Sequence, residues 1–354
     1  MCVSCISMSM NQYTFFGDHA ALESLTQHGD RLVELDRHIQ WAPLVAVAEK
    51  VWRTGADKKA ACGPKPWDAE VMLRVLVLKR LYNLSDEQME YQLRDRLSFL
   101  RFVRLGLGDA VPDSRTIWLY ADQLAKADGA RELFEAFNRQ LAERGLLVKE
   151  GVMVDATFVE VPRQRNCRED NAKIKQGETP EEWLKQPRKL AQKDVDARWT
   201  KKNNQTFYGY KDHVKVGAKT KLILAYTVTP ASTHDSQPMP DLIAPGDSAV
   251  HADSAYTGET IAADLLEKGV HNYIHEKGSA ASALSEEQKR SNRRKSKTRA
   301  RVEHPFAFME KSLGRIYHRC IGQVRNEYQI GLMNLCYNLC RCAQLVTGRA
   351  GRTA

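Results

Sequence analysis

Apolar residues recur at helical spacing through much of the first 146 positions, and after Gly151 the period changes to two. Residues 10–60 carry the helical pattern in pieces, as in HAALESLTQHGDRLVELDRHIQW. Residues 57–66 (DKKAACGPKP) read as a linker broken by Gly63, Pro64 and Pro66. Asp68 then caps a helix in which Val71, Met72, Val75, Leu76, Leu78 and Leu81 fall at helical spacing. Ser85 and Gln88 form a capping box for the next helix. SFLRFVRLGLG stops at Gly106 and Gly108, Pro112-Asp113-Ser114 opens another helix, and ARELFEAFNRQLAERG closes at Gly145. Residues 67–146 are therefore expected to be all-helical with short turns. Both a helix-turn-helix for DNA and a plain bundle fit that pattern.

Beyond Gly151, GVMVDATFVEV alternates as a strand does. Residues 162–205 are polar and interrupted by Pro162, Pro180 and Pro187, which predicts an exposed insertion with some helix around 189–200. TFYGYKDHVKVGA and KLILAYTVTPA form a hairpin around Gly217-Ala218-Lys219. A helix is expected near Ser236, a fourth strand at SAVHADSA, a helix at GETIAADLLEKG and a fifth strand at HNYIHE. A basic helix follows at roughly 285–314, in one or two pieces, and NEYQIGLMNLCYNLCRCAQLV is amphipathic. This order predicts an α/β fold, a mixed sheet with flanking helices, preceded by an all-helical N-terminal domain. The expected divisions are an arm with helices at 1–60, a helical DNA-binding or dimerisation domain at 61–148, a core at 149–325 with a basic insertion at about 162–205, and a C-terminal helix and tail at 326–354. The sequence contains no internal repeat, G-x-G-x-x-G or P-loop, so no nucleotide cofactor is indicated.

Charge changes the picture. The chain of 354 residues carries a net +9. Residues 162–205 hold 12 Lys/Arg against 7 Asp/Glu, and residues 283–301 hold 8 against 2. These two windows account for the whole basic excess, and they point to an acidic partner, nucleic acid foremost. Two solvated surface segments are the plainer alternative. Of the 8 cysteines, Cys336, Cys340 and Cys342 sit among apolar residues, and Cys2-x-x-Cys5 has no second pair near it, so no zinc site is indicated. No apolar run approaches the ~18 residues of a membrane span. Reduced thiols in a cytoplasm are expected. Residues 1–9 differ from the rest, and Met10 is a candidate start.

Against that background three acidic residues stand out. Asp155 and Asp253 interrupt apolar, β-branched runs, and Glu303 opens a helical pattern. A buried carboxylate is costly unless a cation compensates it, and three converging on one point call for a divalent metal. Oxygen-only ligation favours Mg²⁺ or Mn²⁺ over zinc. Two such ions clamp the attacking and leaving oxygens of a phosphodiester displacement. A central first strand beside the fourth would place Asp155 and Asp253 side by side, with Glu303 arriving on a helix that crosses the edge.

VDATFV, YGYKDHVKV, VTPASTHDSQ, ADSAYTG and RARVEHPF resemble, in order, the blocks of bacterial insertion-sequence DDE transposases, in the branch named for insertion sequence five. WDAEVMLRVLVLKRLYNLSDEQMEYQLRDRLSFLRFVRLGL and PDSRTIW resemble that family's N-terminal helical domain. The resemblance spans roughly residues 40–345. It implies an RNase H-like core, Asp155, Asp253 and Glu303 as the metal-binding triad, cleavage at the element's ends, and strand transfer into target DNA. The chain departs from the wider group's signature around the glutamate. Arg299 and Glu303 match, but Ser296 stands in place of a tyrosine and Glu310 in place of a lysine, with Lys311 one position later.

Further DNA contacts are expected from Arg299, Arg301, Lys311, Arg293 and Arg294. Salt bridging to nearby acids is the alternative for the arginines beside Glu303. His234 either touches phosphate or yields to Asp235 and Ser236 capping a helix. Lys211, with Asp212 and His213, is expected to be exposed on one side of its strand. Trp199, Tyr210 and Tyr256 either stack on unpaired bases or belong to the core. Double-stranded DNA, as the inverted ends and the target, is the expected partner. Holding two ends together calls for a homodimer on DNA. Two rival readings are a decayed or repurposed DNA-binding protein and, from His234-Asp235, an HD-type metal phosphohydrolase.

Overall fold

The computed structural model describes residues 15–53, 65–148, 150–278 and 283–350. Cys2, Cys5, Met10, Cys62 and most of the expected linker lie outside the described residues. The helical region comprises α1 (Phe15–Gln27), α2 (Arg31–Arg37), α3 (Trp41–Arg53), α4 (Ala69–Leu81), α5 (Asp86–Asp95), α6 (Leu97–Val103), α7 (Ser114–Lys126) and α8 (Gly129–Glu143). Its starts fall where the capping residues predict. Asp68 accepts from the Glu70 and Val71 amides, Ser85 and Gln88 close a capping box, and Asp113 accepts from Thr116. Helix α4 is buried nearly all round, as a helix apolar on every face must be. Its one buried arginine in mid-helix, Arg74, is neutralised by Asp36 and Glu70 and lies over the Trp41 ring.

The sheet contains β1 (Val152–Glu160), β2 (Arg198–Lys202), β3 (Gln205–Gly217), β4 (Ile223–Pro230), β5 (Ala249–His251) and β6 (His271–Asn272), in the order β2-β3-β1-β5-β6, with β4 also pairing β3. Strands β1 and β3 are antiparallel, whereas β5 runs parallel to β1 on its other side. The remaining helices are α9 (Arg168–Lys175), α10 (Glu181–Leu184), α11 (Pro187–Leu190), α12 (Met239–Leu242), α13 (Glu259–Glu267), α14 (Glu286–Arg299), α15 (Glu303–Ser312) and α16 (Gln323–Ala350). The basic helix thus breaks in two, at a 3-10 turn over Ala300–Val302.

Two expectations need correction here. Residues 198–202 form a strand, not the end of a helix. Asn203 and Asn204 both take positive φ, as a two-residue hairpin turn requires, and fold β2 onto β3. The insertion is also more than an exposed segment, since Trp183 on α10 is buried with the Lys193 ammonium over its ring.

One hydrophobic cluster runs through α2–α8, one face of the sheet and α16. A smaller one, including Val152, Val154, Leu242, Val250 and Leu265, covers the opposite face. Helix α16 packs on α8, α4, α7 and β4. Its apolar face is thus taken up by the core. Two of its buried amides bond inside: Asn334 donates to Asp212, and Asn338 to Asn138 and the Ile223 carbonyl. Covering both faces of the sheet makes β3 a buried strand with polar residues on each side.

Candidate active site

Parallel pairing aligns Val152 with Val250 and Met153 with His251. Two residues further on, Asp155, still within β1, and Asp253, just past the end of β5, therefore stand side by side, as the order of strands predicts. Each aspartate has one oxygen engaged by its own backbone. Asp155 Oδ1 accepts the Ala156 N–H at 2.9 Å, and Asp253 Oδ1 accepts the Ser254 N–H at 2.6 Å and its hydroxyl at 3.3 Å. The other oxygens face one cation. Arg299 Nη2 lies 3.2 Å from Asp155 Oδ2 and 3.9 Å from Asp253 Oδ2. Burial raises the Asp155 carboxyl above the usual range, against the pull of the Ala156 N–H, Arg299 and Lys202.

Helix α14 holds Arg299 in place. Asn292 exchanges hydrogen bonds with the Glu276 backbone, and Lys295 donates to the Ile274 carbonyl. Asn292, Lys295 and Arg299 recur at helical spacing, so one polar stripe faces the sheet end. Arg293, Arg294 and Lys297 occupy the exposed side. Val302 is buried in the 3-10 turn that packs against β1, and Glu303 follows it.

Glu303 is not brought onto the aspartates. It is exposed, and its side chain makes no hydrogen bond or ion pair among the described residues. Likewise, among the described residues, no three His, Cys, Asp or Glu side chains stand close enough to hold one metal ion. The donor chemistry nevertheless suits a hard divalent cation: two aspartate oxygens converge, and a guanidinium fills the point between them.

The other predicted contacts divide. Trp199 is exposed, tilted against Tyr208, with the Arg163 guanidinium 5.8 Å above its ring. Lys311 is exposed, as is Arg301, which reaches the Ala218 carbonyl at 3.2 Å. His234 is exposed and bonded to Ser236. One placement differs from expectation, and two rings take the core alternative. Lys211 is buried rather than exposed, because α12 and its flanking loops cover that face of β3. Its ammonium pairs with Asp235 at 2.7 Å. That pairing also occupies Asp235, so the short helix α12 starts after Pro238 without a side-chain cap. Tyr210 and Tyr256 are buried and present no ring for stacking; Tyr210 donates to Asp194. The histidine and aspartate of the HD reading are thus engaged by Ser236 and Lys211.

Sequence reasoning missed Ser254, Lys202, His275 and the Asn292–Lys295 brace. His275 lies 3.3 Å from the Ser296 hydroxyl, and burial and Arg299 hold it below its usual pKa. The stripe spacing within the basic run was the available signal for the brace. Glu310, in place of the signature lysine, accepts the Ile316 N–H beyond the end of α15.

The family model for the transposase DDE domain matches residues 147–339, and a second model, a transposase domain, matches residues 20–123. Among solved structures, the chain is similar to a piggyBac transposase in a synaptic complex with hairpin DNA, at 10% identity and a TM-score of 0.47, covering 87% of this chain and 73% of that one. No helix among the described residues is long and apolar enough to cross a membrane. The first model spans more than half of the sequence, and the chain belongs to the transposase DDE domain family: it is a DNA transposase, an enzyme of divalent-metal-dependent chemistry.

Proposed function

We propose that Asp155, Asp253 and Glu303 are the metal ligands of this transposase, binding two Mg²⁺ ions for which Mn²⁺ substitutes. The observation that carries this reading is the pair of aspartate oxygens converging on Arg299. Arg299 holds the cation's place and yields it when metal binds. Glu303, four residues along the same helical segment, is the third donor. Bound metal supplies activation of water or of a DNA 3′-hydroxyl and neutralises charge on the leaving oxygen. The Ala156 and Ser254 amides hold one oxygen of each aspartate, leaving the other as the donor that would hold a metal. Arg299, released, is placed to take a phosphate oxygen through its planar fork. The exposed Arg293, Arg294, Lys297 and Lys311 hold the DNA backbone beside the site, with Trp199 stacking on an unpaired base. Positioning and charge neutralisation carry most of phosphoryl transfer, so these contacts are part of the chemistry. The substrates on this reading are the terminal inverted repeats of the element and a target duplex, held by a homodimer in the DNA complex.

The test is a labelled duplex carrying the gene's own flanking ends, incubated with wild type and with Asp253→Asn, in Mg²⁺ or EDTA. Mg²⁺-dependent nicking at the element boundary is expected for wild type. The variant is expected to bind the duplex but not cut it. Undiminished cutting by Asp253→Asn would remove it from the metal site.

A further inference from the structure

A cavity of about 800 Å³ lies where the α4–α5 turn and α7 meet the segment between α15 and α16. That volume is within the range of sites for small molecules, about 300–1,000 Å³. None of its lining residues belongs to the acidic centre. Lys79, Arg80, Arg315, Arg319 and Arg325 line it, and the acids on its wall are Asp86 and Glu87. Lys79 is taken by Asp86, and Arg325 by Asp122 at 3.0 Å. The other three cations have no carboxylate partner among the described residues.

Arg80 is the most informative of them. It is 4% exposed, yet its Nη1 meets only the Asn83 side-chain oxygen at 3.2 Å and its Nη2 the Leu313 carbonyl at 3.4 Å. Its Nε has no partner. A buried guanidinium without a counter-charge is costly, and one that faces a cavity is explained by an anion that enters it. On the same wall the buried Tyr328 hydroxyl also lacks a partner. Arg315 and Arg319 are exposed and add two open forks suited to phosphate. Trp118 belongs to the lining as well and is 48% exposed, with the Arg325 guanidinium 5.9 Å from its ring centre, so one aromatic face borders the cations.

We propose that this cavity binds an unpaired nucleotide of a DNA strand, its phosphate against Arg80, Arg315 and Arg319 and its base against Trp118. The anion chemistry stands on the cavity alone. Only the source of the nucleotide, a strand rather than a free molecule, rests on the DNA-acting reading above.

The experiment measures binding of a short fluorescent oligothymidylate to the full chain in EDTA, so that the acidic centre takes no part through metal. Trp118→Ala is expected to weaken binding about tenfold, the loss of one base–aromatic stack. The pair Arg315→Gln with Arg319→Gln is expected to reduce the slope of log affinity against log salt by up to about 0.7, the contribution of the one phosphate they hold on a single strand. Both sites are exposed, so the variants fold. Unchanged affinity and slope would overturn the proposal. Displacement of the strand by thymidine monophosphate or inorganic phosphate at equal concentration would overturn the strand as its source. Should Asp253→Asn cut DNA normally, the metal assignment falls while this result keeps its meaning.

Discussion

Arg299 is the residue whose replacement most directly tests the acidic centre. Its guanidinium lies 3.2 and 3.9 Å from the two aspartates. With an effective dielectric of about 20, each contact amounts to about 4–5 kcal/mol of Coulomb energy before screening. The side chains are 25% exposed for Arg299, 18% for Asp155 and 45% for Asp253, so solvent screening reduces the net value to about 1–2 kcal/mol. A divalent ion entering between the aspartates must displace this contact. Arg299→Gln removes both the contact and the repulsion between guanidinium and metal. Metal affinity is therefore expected to rise, by about five- to thirtyfold. Cleavage is expected to fall, because the phosphate loses its fork. Calorimetric titration with Mn²⁺ reads the first quantity and the labelled-duplex assay the second. Equal or weaker Mn²⁺ binding in Arg299→Gln would refute the idea that arginine and metal compete for one place.

Three other predictions concern the scaffold. Burial raises Asp212 to about 7, against the hydrogen bond from Asn334. Its charged form is thus penalised in the fold, with the penalty absent below about pH 4, growing through pH 7 and constant above. Asp212→Asn should stabilise the protein at pH 8 relative to pH 5 by a few kcal/mol in order of magnitude, read by urea unfolding at both values, and an unchanged difference would refute it. Gly209 has φ +145°, and an added Cβ would stand 2.2 Å from the Val159 carbonyl oxygen. Gly209→Ala should therefore cost about 3 kcal/mol or more in a denaturant titration. Trp183→Ala should cost about 3–5 kcal/mol locally, seen as rapid proteolysis within 162–200 while the sheet core stays protected.

Much of this molecule was legible because single residues carry strong local rules. Asp68, Ser85 and Asp113 set helix starts by capping, and the change to a period of two at Gly151 marks the first strand. The adjacency of Asp155 and Asp253 also followed from strand order. What was lost needed tertiary context. Lys211, Asp212 and His213 look like a half-exposed strand, but layers on both faces bury all three. Burial then pushes His213 down to about 4 and leaves it neutral. Asp235 looks like a cap until Lys211 is seen to claim it. Asn203-Asn204 carried a turn signal that the surrounding charge obscured, so β2 went unread. That Arg299 bridges acids was one of the two readings open from the sequence; that the acids are Asp155 and Asp253 depends on where α14 crosses the sheet.

Helix α16 adds a consequence for the order of synthesis. It follows β4 by nearly a hundred residues, yet it closes the core of α4, α7 and α8, and its Asn338 bonds Asn138 from α8. While translation has reached only the sheet, those helices still expose the apolar surface that α16 will cover. The helical region is therefore expected to stay incompletely packed on the ribosome until the acidic centre and everything up to α16 has been made. The two parts of the chain would then mature together rather than one before the other.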